Sequence, residues 1–347
     1  MNIEKKVISD LTLCYWVTTL EIHGKRHFLV ASEKEYACLL FDQDGNLVDK
    51  VWDRPGGTMT AVQVPGAVDG DFLATHRMYA PDWSKDASIV LAYPAEDGWK
   101  IKNLVHLPGV HRFDILRRNG VNFLIACTIK SRYEYEEDWR FPGKVFVGVL
   151  TKDLRDLPED YELPMTVLMD DQLKNHGYSR DIHQGVQTSI VTTENGVFRI
   201  TPPAEPGLAW TVEQYLDEPT SDALLLDLDG DGEKEMMTFS PFHGDTLKVF
   251  KLRDGRYEKV YEYEKKLPFI HAICAAQFNG KEIGIIGHRR GDRDLLALSY
   301  QDGAYRIELL DHDIGPANAR AEVIEGKTVL VSANREINEV AYYTLTP

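Results

Sequence analysis

Three histidines stand at one spacing in this chain: His111 precedes Gly120, His176 precedes Gly185 and His271 precedes Gly280, each by nine residues. Side chains repeated at a fixed distance from a repeated glycine occupy one position in successive structural units, so the spacing gathers three imidazoles in one place. Neutral imidazoles converging on a water-filled mouth are ligands for a divalent transition metal, and they can also move protons near neutral pH. His243, in Pro241-Phe242-His243-Gly244-Asp245, and His288, in Gly287-His288-Arg289, follow neighbouring strand-like segments. The candidate metal set is therefore His176, His243, His271 and His288. The candidate catalytic set is His111, His176 and His271, with Tyr133 as a further group able to take a proton. The register that places these histidines also puts Tyr15 ahead of Gly24 and Ala317 ahead of Gly326.

A second ion-binding pattern is Asp227-Leu228-Asp229-Gly230-Asp231-Gly232-Glu233-Lys234-Glu235. Carboxylates at alternate positions, glycines for a sharp turn and a closing carboxylate suit a hard cation that takes six to eight oxygens. Asp227, Asp229, Asp231 and Glu235 are thus expected to hold one structural Ca²⁺, a staple and not a catalytic centre. The alternative is a solvated acidic hairpin.

The elements that must position these groups follow from the glycines. Gly24, Gly70, Gly120, Gly185, Gly232, Gly280 and Gly326 recur every 46 to 65 residues, each between short apolar segments. A period of this length carrying four strand-like segments is the signature of a propeller blade. Asp44-Gly45, Asp97-Gly98, Asp254-Gly255 and Asp302-Gly303 supply a second hairpin turn in four of the units. Each unit reads strand A, glycine turn, strand B, loop, strand C, turn, strand D. The fold expected is all-β: one domain over residues 1–347, a seven-bladed β-propeller of four-stranded antiparallel blades. The last unit stops short of its fourth strand, and the segment Ile3 to Ile8 is an orphan strand, so the N-terminal strand is expected to close the ring.

In this frame the three histidines head strand A, the innermost strand, and the B–C loops open on the same face. Those loops carry His76, Arg77, Lys130, Arg132, Arg289 and Arg335, and the two longest add Tyr79, Trp83, Tyr135 and Trp139. Cations could bond an acidic sugar and flat aromatic faces could stack on its ring, so His76, Arg77, Lys130, Arg132, Trp139, Arg289 and Arg335 are the candidate substrate-binding residues. His23, His27, His106, His183 and His312 fall elsewhere and read as structural or solvated.

Composition removes several function classes. A formal charge of −16 over 347 residues argues against nucleic acid, whose binding needs clustered Lys and Arg. No apolar run reaches membrane-spanning length and the first residues carry no secretory pattern. Cys14, Cys38, Cys127 and Cys274 stand singly in apolar segments, as free thiols of a reducing compartment do, and a cytoplasmic setting is expected.

The acidic loop resembles the calcium loop of FG-GAP/VCBS-type propeller repeats. More weakly, Asn175-His176-Gly177, Pro241-Phe242-His243-Gly244-Asp245 and Gly287-His288-Arg289 resemble segments of the propeller sugar lyases, oligogalacturonate lyase and aldos-2-ulose dehydratase among them. That resemblance implies elimination from a sugar, keto-sugar or uronide at the channel mouth, with a His-bound divalent metal or Arg289 and Arg335 steadying an enolate. The rival readings are a carbohydrate-binding module and a protein-interaction propeller, since a propeller fold does not fix function.

Overall fold

The computed structural model describes residues 1–79, 84–132, 134–135 and 137–347; Trp83 and Tyr133, both named above, lie outside the described residues. Seven four-stranded antiparallel sheets follow one another round a ring. Six are made of consecutive strands, spanning residues 14–52, 61–106, 110–172, 177–216, 222–262 and 270–311. The seventh takes three strands from residues 318–346 and its outermost from Asn2–Asp10. That N-terminal strand pairs antiparallel with Glu339–Thr346, Ile3 opposite Leu345 and Val7 opposite Ala341. The closure expected from the orphan segment is present.

The A–B turns are built as the glycine ruler requires. At Asn119-Gly120 and Asn279-Gly280 both residues take positive φ, 48° and 79° in one, 50° and 75° in the other. Two such residues make the hairpin turn whose twist matches the flanking strands, and asparagine with glycine is the pair that tolerates it. These turns fix the register of strands Val110–Arg118 and Ile270–Phe278, and so the height at which His111 and His271 sit.

The apolar core is divided among the seams between blades. Leu29, Ala31 and Leu40 of the first blade meet Phe72, Ala74 and Ala92 of the second. Phe28, Val30 and Phe41 meet Val329, Val331 and Val340 of the seventh. Each of the valines, leucines and phenylalanines removed from water contributes about 1.5–3 kcal/mol, so the seams hold the ring and leave its axis free for polar groups. All four cysteines are free; burial pushes the Cys127 and Cys274 thiols up to about 12, which keeps them unreactive. Among the described residues no helix is long and apolar enough to cross a membrane.

Candidate functional site

At the head of strand A the chain departs from regular pairing in three blades. The register slips between Cys14 and Trp16, between Val110 and Arg112, and between Ile270 and Ala272. The residues left over are Tyr15, His111 and His271. An extra residue on one strand of a pair re-aims its side chain, and here each bulge turns an aromatic group into the channel. His176 reaches the same level from the position just before strand Gly177–His183.

The imidazole Nδ1 atoms point outward, to the next blade. His111 Nδ1 lies 3.3 Å from the His176 carbonyl, and His271 Nδ1 lies 2.6 Å from that of Ala317. His176 Nδ1 lies 3.1 Å from Asp222 Oδ2 and 3.4 Å from the Ser221 carbonyl. Carbonyls and carboxylates only accept, so each Nδ1 carries the proton and each Nε2 keeps its lone pair. The Nε2 atoms face inward. Those of His176 and His243 are 3.3 Å apart, and the Tyr15 hydroxyl lies 3.1 Å from His271 Nε2 and 3.4 Å from His111 Nε2. One ligand nitrogen from each of His176, His243 and His271 lies within 4.8 Å of the other two.

This arrangement fits a divalent metal. A metal-binding histidine characteristically donates its second N–H to a carboxylate or carbonyl, which sets the tautomer and ring orientation, and both His176 and His271 do so. Burial, with His176, Arg289 and Arg112 adding positive charge, holds His243 and His271 well below the ordinary imidazole range; burial and Arg112 do the same to His111. They are neutral at physiological pH, the form that coordinates. Burial raises the Tyr15 hydroxyl, which therefore stays protonated.

These bonds also form a chain of ties around the axis. Thr60 Oγ1 donates to the His111 carbonyl (3.0 Å), Asn318 Nδ2 to that of Tyr15 (2.8 Å) and Trp16 Nε1 to that of Ala61 (3.1 Å). With the three histidines, among the described residues a side chain ties strand A to the next blade's at every junction but one. Between blades five and six the bond runs from Ile270 N to the Gly244 carbonyl at 3.0 Å.

Above the histidines the loops build an aromatic and basic rim. The Phe242 ring stacks on His243 at 3.9 Å and meets Trp139 at 5.2 Å, and Phe269 stands edge-on to His243 at 4.3 Å. Lys130 lies over Trp139 at 4.0 Å, and Arg289 and Arg290 lie over Phe269 at 4.7 and 5.0 Å. Lys130, Trp139 and Arg289 are therefore gathered at the mouth.

Other expected site residues are placed apart. The His288 ring serves its own loop, with Nδ1 donating to the Arg290 carbonyl at 2.8 Å and Nε2 accepting from Asp294 N at 3.1 Å, so both nitrogens are spent locally. Arg335 is paired with Glu33 and Glu336, and Arg289 shares Glu336, so neither guanidinium is held in reserve for a ligand carboxylate. Arg77 and Arg132 are exposed, Arg132 against Glu134 and Phe141. His76 is a core residue, edge-on to Trp52 at 4.5 Å, and burial pushes it down to about 3. An unfolded chain returns it to an ordinary pKa near 6.5, so acid favours unfolding. Its stabilising contribution is complete above pH ~6.5 and falls by up to about 1.4 kcal/mol for each pH unit below that, until the folded-state pKa is reached. The melting temperature is accordingly expected to drop from pH 7 to pH 5, and His76→Phe to flatten part of that drop. Identical pH profiles for the two proteins would refute this assignment.

The acidic loop of blade five forms as a tight turn. Asp227 accepts from Gly230 N (2.7 Å) and Gly232 N (3.0 Å), and Glu235 from Leu228 N (2.8 Å). Asp227, Asp229 and Glu235 could share an ion. The Lys251 ammonium already lies among the carboxylates, 2.5 Å from Asp229, 2.6 Å from Asp231 and 3.1 Å from Glu235, and these neighbours raise its pKa.

Three groups of the site were not singled out by sequence reasoning: Tyr15, whose register to Gly24 was the available signal, and Asp222 and Phe269, which nothing in the sequence marks. No family model matches the chain, and no curated protein matches it. Solved structures do. The Swd1 β-propeller domain from Myceliophteria thermophila superposes with TM-score 0.63 at 10% identity, over 99% of this chain and 100% of that one. A chain of the mitotic checkpoint complex gives 0.60 at 9% identity, over 99% and 94%. A candidate 6-phosphogluconolactonase from Bacteroides uniformis gives 0.57 at 12% identity, over 89% of each. At such identities the likeness shows the fold alone.

Proposed function

We propose that this propeller is a metal-dependent enzyme acting on a small sugar-derived substrate at the channel mouth, by elimination across a carbon–oxygen bond. The observation that carries the reading is the convergence of one ring nitrogen from each of His176, His243 and His271 within 4.8 Å of the other two, with His176 and His271 locked by Nδ1 bonds to acceptors that leave the lone pair on Nε2. A divalent ion held there would polarise a carbonyl or carboxylate oxygen and steady the enolate charge beside it. Tyr15 and His111 would move the proton: with the His271 lone pair committed, His111 Nε2 at 3.4 Å is the acceptor left to the Tyr15 hydroxyl. Trp139, Phe242 and Phe269 would stack a sugar ring, and Lys130 would meet its acidic group.

Elemental analysis of purified protein, with a screen of uronides and keto-sugars for ultraviolet absorbance, tests this. One zinc-, cobalt- or nickel-class ion per chain and an unsaturated product are expected. A metal-free protein that takes up none of these ions and turns over nothing would sink the enzyme reading. It would favour a second reading, a binding propeller, for which the blade-to-blade ties give the histidines structural work without catalysis.

Calcium at the blade-five loop would have to displace the Lys251 ammonium. Added Ca²⁺ is expected to raise the melting temperature of Lys251→Met more than that of wild type, because the variant leaves its carboxylates uncompensated and a ligand of the folded state stabilises it by mass action. An equal response would show that Lys251 is not the competing cation.

A further inference from the structure

Below the histidines the axis widens into a cavity of about 1130 Å³ that opens on the opposite face, its rim formed by the A–B turns at Gly24, Gly66 and Val68 and by Val323 near the end of its strand A. The sequence reading gave that face no role beyond the acidic loop of blade five. Arg112, next in the chain to His111, lines the cavity and is only 3% exposed. One arm of its guanidinium donates to the Met59 carbonyl, and the group lies over Trp16 at 4.8 Å and Tyr15 at 5.8 Å. Among the described residues it makes no ion pair. By contrast Arg180 and Arg320, on the same wall, are matched by Asp114 and Glu322.

A buried cation without a counter-charge is costly, and the cost is relieved when an anion reaches it. In a protein of formal charge −16 the surrounding field repels anions, so a lone buried guanidinium facing a cavity is a local exception that needs a reason. The planar fork binds carboxylate or phosphate oxygens two at a time, and the Trp16 ring lies against it at 4.8 Å. The cavity is far larger than one ion. Its wall adds Thr18, Asn318 and Gln187, groups that bond hydroxyls.

We propose that the axial cavity is a second ligand site, distinct from the histidine cluster, which takes a small organic anion whose carboxylate or phosphate group sits on Arg112 and whose polar body fills the channel. The site goes beyond the metal-enzyme reading and stands or falls without it.

Calorimetric titration at low ionic strength tests this with gluconate, glucose 6-phosphate, inorganic phosphate and uncharged glucose as probes. Gluconate or glucose 6-phosphate is expected to bind and to raise the melting temperature, and the tighter of the two assigns the anionic group. Inorganic phosphate should bind more weakly and glucose not at all. Arg112→Gln should weaken binding by at least about tenfold. Because Arg112 also supports the Met59 carbonyl, a second variant is needed: Thr18→Trp fills the channel, keeps the guanidinium and should abolish binding. His243→Ala, which removes a candidate metal ligand, should leave the anion titration as it is, so the two readings fail separately. Failure of every anion to bind at millimolar concentration, equal binding of glucose, or unchanged affinity in both Arg112→Gln and Thr18→Trp would overturn the proposal.

Discussion

His271→Ala is expected to release the metal and abolish turnover while the propeller stays folded. The ring loses one nitrogen of the three that lie within 4.8 Å of one another, and two imidazoles do not make a closed site. The structural cost is two bonds, one to the Ala317 carbonyl and one from the Tyr15 hydroxyl, about 1–3 kcal/mol net together, small beside the apolar seams that hold the blades. His176→Ala should behave alike. Asp222→Asn is the sharper probe, since it keeps every ligand and alters the acceptor shared by His176 Nδ1 and the Ser221 hydroxyl. A loss of about 10–100-fold in metal affinity is expected there, as for other groups that orient a ligand from behind. Elemental analysis, a chelator competition and the melting temperature report these effects together. If His271→Ala keeps a full complement of metal, or loses metal only because it unfolds, the assignment is wrong.

Deleting residues 1–10 is expected to be the most destabilising change away from the channel. It removes the outer strand of blade seven and bares Glu339–Thr346 as an open edge. The ladder bonds and the part-buried Ile3 and Ile8 together are worth at least about 3 kcal/mol, against a total stability of roughly 5–15 kcal/mol for a folded domain. The denaturation midpoint should fall, and the bared edge should make the variant associate as concentration rises. An unchanged midpoint, with no added association as concentration rises, would show that the first strand is not what closes the ring.

The blades were legible because a propeller repeats both its turns and its strand lengths. A glycine at a positive-φ turn is dictated by local geometry, and the count of such turns carries straight to the count of blades. The shared height of His111, His176 and His271 followed from that ruler. What the ruler could not show is that Tyr15, His111 and His271 sit on bulges, because an extra residue in one strand leaves no mark on composition or spacing. His243 and His288 looked equivalent, each on the loop that follows a strand B. Only the path of the following loop separates them: one presses Phe242 and His243 over the axis, and the other folds back so that Asp294 and Arg290 take up both ring nitrogens. Lys251 lies on another strand from the acidic loop it neutralises, and sequence gives no reason to pair them. The axial cavity was invisible for a related reason, because its walls are assembled from all seven blades, which contribute between two and nine residues each.

The ties through His111, His176 and His271 make the circumference of the ring and the occupancy of its centre conjugate variables. Each imidazole is fastened to a neighbouring blade by one nitrogen and offers the other to the axis, so any dilation of the ring pulls the inward nitrogens apart. Coordination would therefore act as a hoop, resisting breathing of blades that never touch the ion. By reciprocity, loosening a distant seam would lower affinity at the centre. The signature of this hoop would be slower amide exchange along the inner strands of several blades at once, spread round the circle and not confined to those supplying a ligand.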